Sequence, residues 1–142
     1  MKIGVSSCLL GINCKYNGKS NYNESILKLK EKYELVPICP EVLGGLPTPR
    51  IPSEIINDKV INKEGIDVTY NYNLGAQKAL KILKDNNISI VILKAKSPSC
   101  GKNKIYDGTF TSTLIDGNGV TVKLFLENNI TVYDENDYHL CL

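Results

Sequence analysis

The stretch Ile88-Ser89-Ile90-Val91-Ile92-Leu93 decides the fold. It is a short, nearly all-apolar run behind the helix-stopping Asp85-Asn86-Asn87. It reads as a strand buried on both faces, the pattern of a parallel sheet covered by helices. Just upstream, Tyr72, Ala76, Ala79, Leu80 and Leu83 recur at helical spacing and predict a helix from about Tyr72 to Lys84 with one apolar face. Downstream, Asp116-Gly117-Asn118-Gly119 predicts a turn, Val120 to Glu127 a helix, and Ile130-Thr131-Val132-Tyr133 a last strand. Toward the N-terminus, Lys2 to Ser6 predicts a first strand, and Asn23 caps a helix from Glu24 to about Tyr33. Leu35-Val36-Pro37-Ile38 predicts a second strand, whose proline suits an edge or a strand end. Four strands separated by helices predict an α/β fold: a single three-layer Rossmann-like domain, residues 1–142, with a mostly parallel sheet of about four strands flanked by helices.

Composition narrows the function classes. A chain of 142 residues suits one domain, and at this size it buries roughly 70% of its unfolded surface without a disulfide framework. Net charge is +2, from 17 basic and 15 acidic residues, which gives no electrostatic case for a protein that wraps nucleic acid or lies on a membrane. No stretch approaches the ~20 apolar residues of a membrane span. Met1 to Val5 is too short for a signal peptide and runs straight into a motif, so a cytoplasmic location is expected. In that compartment thiols stay reduced, and five cysteines (Cys8, Cys14, Cys39, Cys100 and Cys141) point to ligands, a nucleophile or buried thiols.

The predicted topology gives three of them a common address. Cys8 follows the first strand, Cys39 the second, and Cys100 lies in the loop after the third. In an open parallel sheet these loops share the carboxyl edge, where ligands bind. Pro40 and Pro98 fix the backbone beside two of the cysteines, and nearby glycines admit close approach of a ligand. A structural zinc site wants four ligands, usually in close Cys pairs, and no such pair occurs. Three thiolates fit an iron–sulfur cluster with one iron left open better, with Cys14 or Cys141 still available as a fourth ligand. Residues 40–68 are rich in Gly and Pro, with weak strand signals near Lys59 to Ile61, and read as a long loop that covers substrate. Arg50 is a candidate for a substrate phosphate or an ion pair, Lys94 and Lys96 for solvent or an anion, and Asp107-Gly108 for a turn. His139 and Cys141, in the tail, receive no role.

Three motifs carry a family resemblance. Val5-Ser6-Ser7-Cys8-Leu9-Leu10-Gly11 with Cys14-Lys15-Tyr16-Asn17-Gly18 is the first. Cys39-Pro40-Glu41-Val42-Leu43-Gly44-Gly45-Leu46-Pro47-Thr48-Pro49-Arg50 is the second. Lys94-Ala95-Lys96-Ser97-Pro98-Ser99-Cys100-Gly101 with Ile105-Tyr106-Asp107-Gly108-Thr109-Phe110 is the third. Together they resemble the bacterial family that includes the thiouracil desulfidases, departing from it slightly at Lys15 and Asn17, where the family often has Arg and Asp. The resemblance implies an oxygen-sensitive 4Fe–4S cluster on Cys8, Cys39 and Cys100, with one iron not bound by protein. It implies Glu41 and Ser97 as an acid/base pair. The implied activity is non-redox desulfuration of 2-thiouracil, 4-thiouracil or thio-UMP to uracil or UMP and sulfide. The expected partner is therefore a small thiolated nucleobase or nucleotide, not a nucleic acid polymer or a membrane. The competing reading is a non-catalytic binding module stabilised by zinc or a cluster, or a sulfur carrier with an exposed nucleophilic thiolate such as Cys14.

Overall fold

The computed structural model describes all residues, 1–142. Along the chain run β1 (Lys2–Ser6), α1 (Glu24–Leu27), β2 (Glu34–Ile38), α2 (Pro40–Leu43), β3 (Ser53–Ile56), β4 (Lys59–Asn62), α3 (Thr69–Asp85), β5 (Ile90–Leu93), β6 (Lys104–Tyr106), β7 (Leu114–Asp116), α4 (Val120–Glu127) and β8 (Thr131–Asp134). Strands β2, β1, β5 and β8 form, in that order, an all-parallel sheet. The predicted α/β architecture is therefore present. Pro37 sits on β2, an edge strand, where its missing N–H leaves no ladder bond unmade.

Strand alternation sends two apolar sets to opposite faces. Val91, Leu93 and Val132 pack with Ala79 and Leu83 of α3 and with Val122 and Phe125 of α4. Ile3, Val5 and Ile92 pack with Leu9 and Ile26 on the other side. Helices thus cover both faces and make three layers. Gly4 lets α3 approach, because a Cβ there would stand 2.9 Å from both Leu83 Cδ2 and Val91 Cγ1. The chain leaves β1 toward β2 on one side and returns to β5 on the other. The order therefore reverses at β1, and the crevice beyond the carboxyl ends of β1 and β5 is the topological switch point.

Three departures from the sequence expectation matter. The first helix keeps its Asn23 cap, whose Oδ1 accepts the Ile26 N–H at 3.1 Å, but tightens into a 3-10 turn over Lys28–Glu31 before β2. Residues 40–68 are not a long loop. They hold α2 and the β3–β4 hairpin, turned by Asn57 and Asp58, both at positive φ, the geometry such two-residue hairpins favour. A second hairpin, β6–β7, occupies a region where no strand was expected. No helix is long and apolar enough to cross a membrane.

Candidate functional site

A cavity of about 450 Å³ opens at the switch point, within the usual size range of ligand pockets. It gathers Cys8, Cys14, Cys39 and Cys100 with Glu41, Arg50 and Ser97. Cys8 lies in a 3-10 turn after β1, ended by Gly11 at φ 93°. Cys39 precedes α2, and Cys100 lies in the loop after β5. Cys141 is exposed in the C-terminal segment and takes no part.

The position of Cys39 is fixed by backbone packing. A Cβ on Gly75 of α3 would stand 1.8 Å from the Pro40 carbonyl, and one on Gly44 would stand 2.0 Å from the Asn71 carbonyl. Helices α2 and α3 therefore touch main chain to main chain, and Asn71 Nδ2 donates to the Gly44 carbonyl at 2.8 Å. Cys100 is held by the start of α4. The N–H groups of Val120 and Thr121 donate to the carbonyls of Pro98 and Ser99, which satisfies donors a helix start leaves open. Gly119 is required there, since its Cβ would lie 2.4 Å from the Ser99 carbonyl oxygen. Beneath the loop, the fully buried hydroxyls of Ser99 and Thr121 pair at 2.7 Å, and the Cys100 thiol donates to Ser99 Oγ at 3.7 Å.

The thiols differ electrostatically. A hydrogen bond from Cys14 brings Cys8 down to about 7 against the opposing cost of burial, with smaller help from Asn21 and the Lys94 ammonium. Cys39 is also lowered, first by Cys14, then by the Val42 amide and the Arg50 charge, again against burial. Cys14, donating to both Cys39 and Cys8, is pushed far up. Cys100 is pushed up by burial. Cys14, left open by the sequence as a fourth ligand or an exposed nucleophile, is buried and hydrogen-bonded to two of the three expected ligands, Cys8 and Cys39. No three Cys, His, Asp or Glu side chains are arranged to hold a single metal ion.

Arg50 forms the ion pair that was one of its two expected roles, although buried and not at the surface: its side chain is 6% exposed. Nη2 donates to Glu41 Oε2 at 3.1 Å and to the Cys14 carbonyl at 2.9 Å, while Nη1 reaches the Pro47 carbonyl and Thr48 Oγ1. Four of its five N–H groups are thus occupied. Ser97 Oγ accepts the Cys100 N–H at 2.6 Å, so the hydroxyl caps the turn that carries the cysteine. Lys94 does not run into solvent: its ammonium pairs with Glu135 at 2.7 Å. Asp107-Gly108 lies in the β6–β7 turn as expected, with Gly108 at φ 93°. Glu54 and Tyr72, both buried, also line the cavity and were missed. Tyr72 was legible only as a core residue on the apolar face of its helix. Burial pushes its phenol up, and Ser53 hydrogen-bonds it.

A family model described as 2-thiouracil desulfurase matches residues 3–137. The Bacillus subtilis (strain 168) "Uncharacterized protein YbbK" is 46% identical over 143 residues, covering 94% of this chain and 95% of that protein. A solved structure of the [4Fe-4S]-dependent thiouracil desulfidase TudS superposes with a TM-score of 0.92 at 38% identity, covering 98% of this chain and 93% of that one.

Proposed function

This chain belongs to the 2-thiouracil desulfurase family, and from that premise we propose that it releases sulfide from thiolated uracil derivatives on a 4Fe–4S cluster held by Cys8, Cys39 and Cys100, without net redox change. It is an enzyme, the thiouracil desulfidase that its motifs implied. The observation that carries the assignment of the site is the convergence of those three sulfurs on one cavity beside the Glu41–Arg50 pair. The donors suit the group: soft sulfur ligands favour iron–sulfur clusters, and two of the three thiols already lean toward the thiolate that binds metal. Residues 1–142 act as one catalytic unit on this reading, since the site draws on the ends of β1, β2 and β5.

When bound, the cluster supplies one iron without a protein ligand, a Lewis acid for the thiocarbonyl sulfur. The protein's residues do the rest. Arg50 grips Glu41 through Oε2, leaving Oε1 to take a proton from the water that attacks the ring carbon. Ser97 accepts the Cys100 N–H through its oxygen, so its own O–H remains free to donate to the ring or the departing sulfur. Lys15, Lys63 and Lys96 line the cavity and offer ammonium groups to the phosphate of thio-UMP.

Protein made and purified without oxygen tests this. Iron and acid-labile sulfide in equal amounts, with sulfide released from 2-thiouracil, 4-thiouracil or thio-UMP, are expected. Glu41→Gln keeps the cluster absorption and loses about 10²- to 10⁴-fold in rate. Zinc in place of iron, or a loaded cluster that releases no sulfide from any of the three, overturns the assignment in favour of a binding module. A persulfide on Cys14 without a cluster would identify a sulfur carrier.

A further inference from the structure

We propose that Phe110 is the platform on which the substrate's pyrimidine ring stacks, and that Glu54 is the positioning residue that holds it in place; this rests on the desulfidase reading and adds the surface that recognises the ring. The chain has two phenylalanines. Phe125 is wholly buried in the core. Phe110 is half-buried and lines the cavity that holds the cysteines.

Its backbone is in the left-handed region, at φ 57°, where a bulky side chain is a genuine outlier. The surrounding structure enforces this. Glu54, 8% exposed on β3, accepts the Gly108 N–H at 3.0 Å and the Phe110 N–H at 3.1 Å through the same oxygen, Oε1. Gly108 is clamped against the first hairpin, since a Cβ there would lie 2.4 Å from Ile56 Cγ1. Threonines 109, 111 and 113 link their hydroxyls in series along the loop at 2.6 and 2.8 Å. Two hairpins are thereby locked together around one aromatic residue in an unfavourable conformation, beside the reactive groups. Folding alone gives an exposed Gly, Thr and Ser loop no reason to hold phenylalanine so; strain of this kind concentrates where a side chain must be presented. Sulfur, carboxylate and ammonium groups share the cavity with apolar side chains and the rings of Tyr16, Tyr72 and Tyr106; Phe110 is the one aromatic residue of the lining that carries no hydroxyl and stands on a left-handed backbone. A planar heteroaromatic ring also needs a flat apolar face, and an aromatic side chain supplies one to any base.

Uracil and 5,6-dihydrouracil test this as competitive inhibitors. They carry the same N–H and C=O groups, but only uracil has an aromatic ring. Phe110→Ala should weaken uracil about ten-fold and leave dihydrouracil unchanged. KM for 2-thiouracil should rise by a similar factor with kcat nearly constant, and Phe110→Tyr should restore wild-type behaviour. Glu54→Leu should lose the same discrimination. Glu54→Gln, whose amide oxygen still accepts two N–H groups, should keep it. Iron content and cluster absorption report that the variants remain folded. Phe110→Trp installs the chain's sole tryptophan, whose fluorescence uracil should quench saturably without any turnover. Equal weakening of both ligands, unchanged uracil binding in Phe110→Ala, or an unquenched tryptophan overturns the proposal. If the wild-type protein releases no sulfide, the desulfidase reading fails, while the uracil–dihydrouracil contrast still reports on the platform.

Discussion

Cys8 and Cys39 on one side of the cavity, and Cys100 on the other, hold the same atom in opposite ways. Cys8 and Cys39 are half-buried, share the Cys14 thiol, and are lowered toward thiolate by hydrogen bonds and charge. Cys100 is sealed: its loop plugs the start of α4, and burial raises its thiol. The first side is electrostatically prepared and the second geometrically fixed. A site built this way takes its reactivity from one wall and its placement from the other.

The largest expected effect comes from breaking the sealed side. Cys100→Ser should lose the cluster and cut sulfide release by more than about 100-fold, beyond the range of changes outside the ligand set; iron analysis of oxygen-free protein checks this. Gly119→Ala leaves every ligand in place but drives a Cβ into the Ser99 carbonyl. It should cost about 1–3 kcal/mol of stability and lower iron retention, read by thermal unfolding and iron content together. The prepared side is sharpened by stripping the iron with a chelator and alkylating with iodoacetamide. Cys8 should react well before Cys100, with a rate that rises through about pH 7. The folded value of Cys8 lies below the ordinary 9.0, so its thiolate stabilises the fold fully above pH 9, and that gain is lost as pH falls through 7. The smallest effect is expected from Cys14→Ala, which removes the thiol that donates to Cys8 and Cys39. It should retain iron within about ten-fold of wild type, as a residue outside the ligand set would, while the alkylation inflection at Cys8 moves upward. Complete loss of iron in that variant would make Cys14 a ligand and close the open corner of the cluster.

Much of this was legible in the sequence, for definite reasons. The β5 run is apolar because helices cover both its faces, and the spacing in α3 is helical because one stripe packs on the sheet. These patterns are local, so the strands ending at Cys8 and Cys39 and the loop bearing Cys100 could be placed. Family motifs then singled out Glu41 and Ser97. What stayed hidden depends on contacts between distant segments. Arg50 reads as a lone cation until Glu41 and the Cys14 carbonyl are beside it. Asn57-Asp58 between Ile56 and Lys59 is a hairpin signal that was available and passed over. The β6–β7 hairpin is short and mostly exposed, with no apolar alternation to mark it. Glu54 gains its meaning only from amides more than fifty positions away.

The meeting of Gly44 with Gly75 has a consequence beyond the placement of Cys39. Two main chains in direct touch have no rotamers between them to cushion a displacement. Any shift of α3 on the sheet, from a changed methyl at Ala79 or Leu83, passes undamped to the sulfur of Cys39 and the carboxylate of Glu41. The interior of this protein is therefore tuned twice, once for folding and again for bond breaking, and a substitution the fold tolerates can still detune the chemistry.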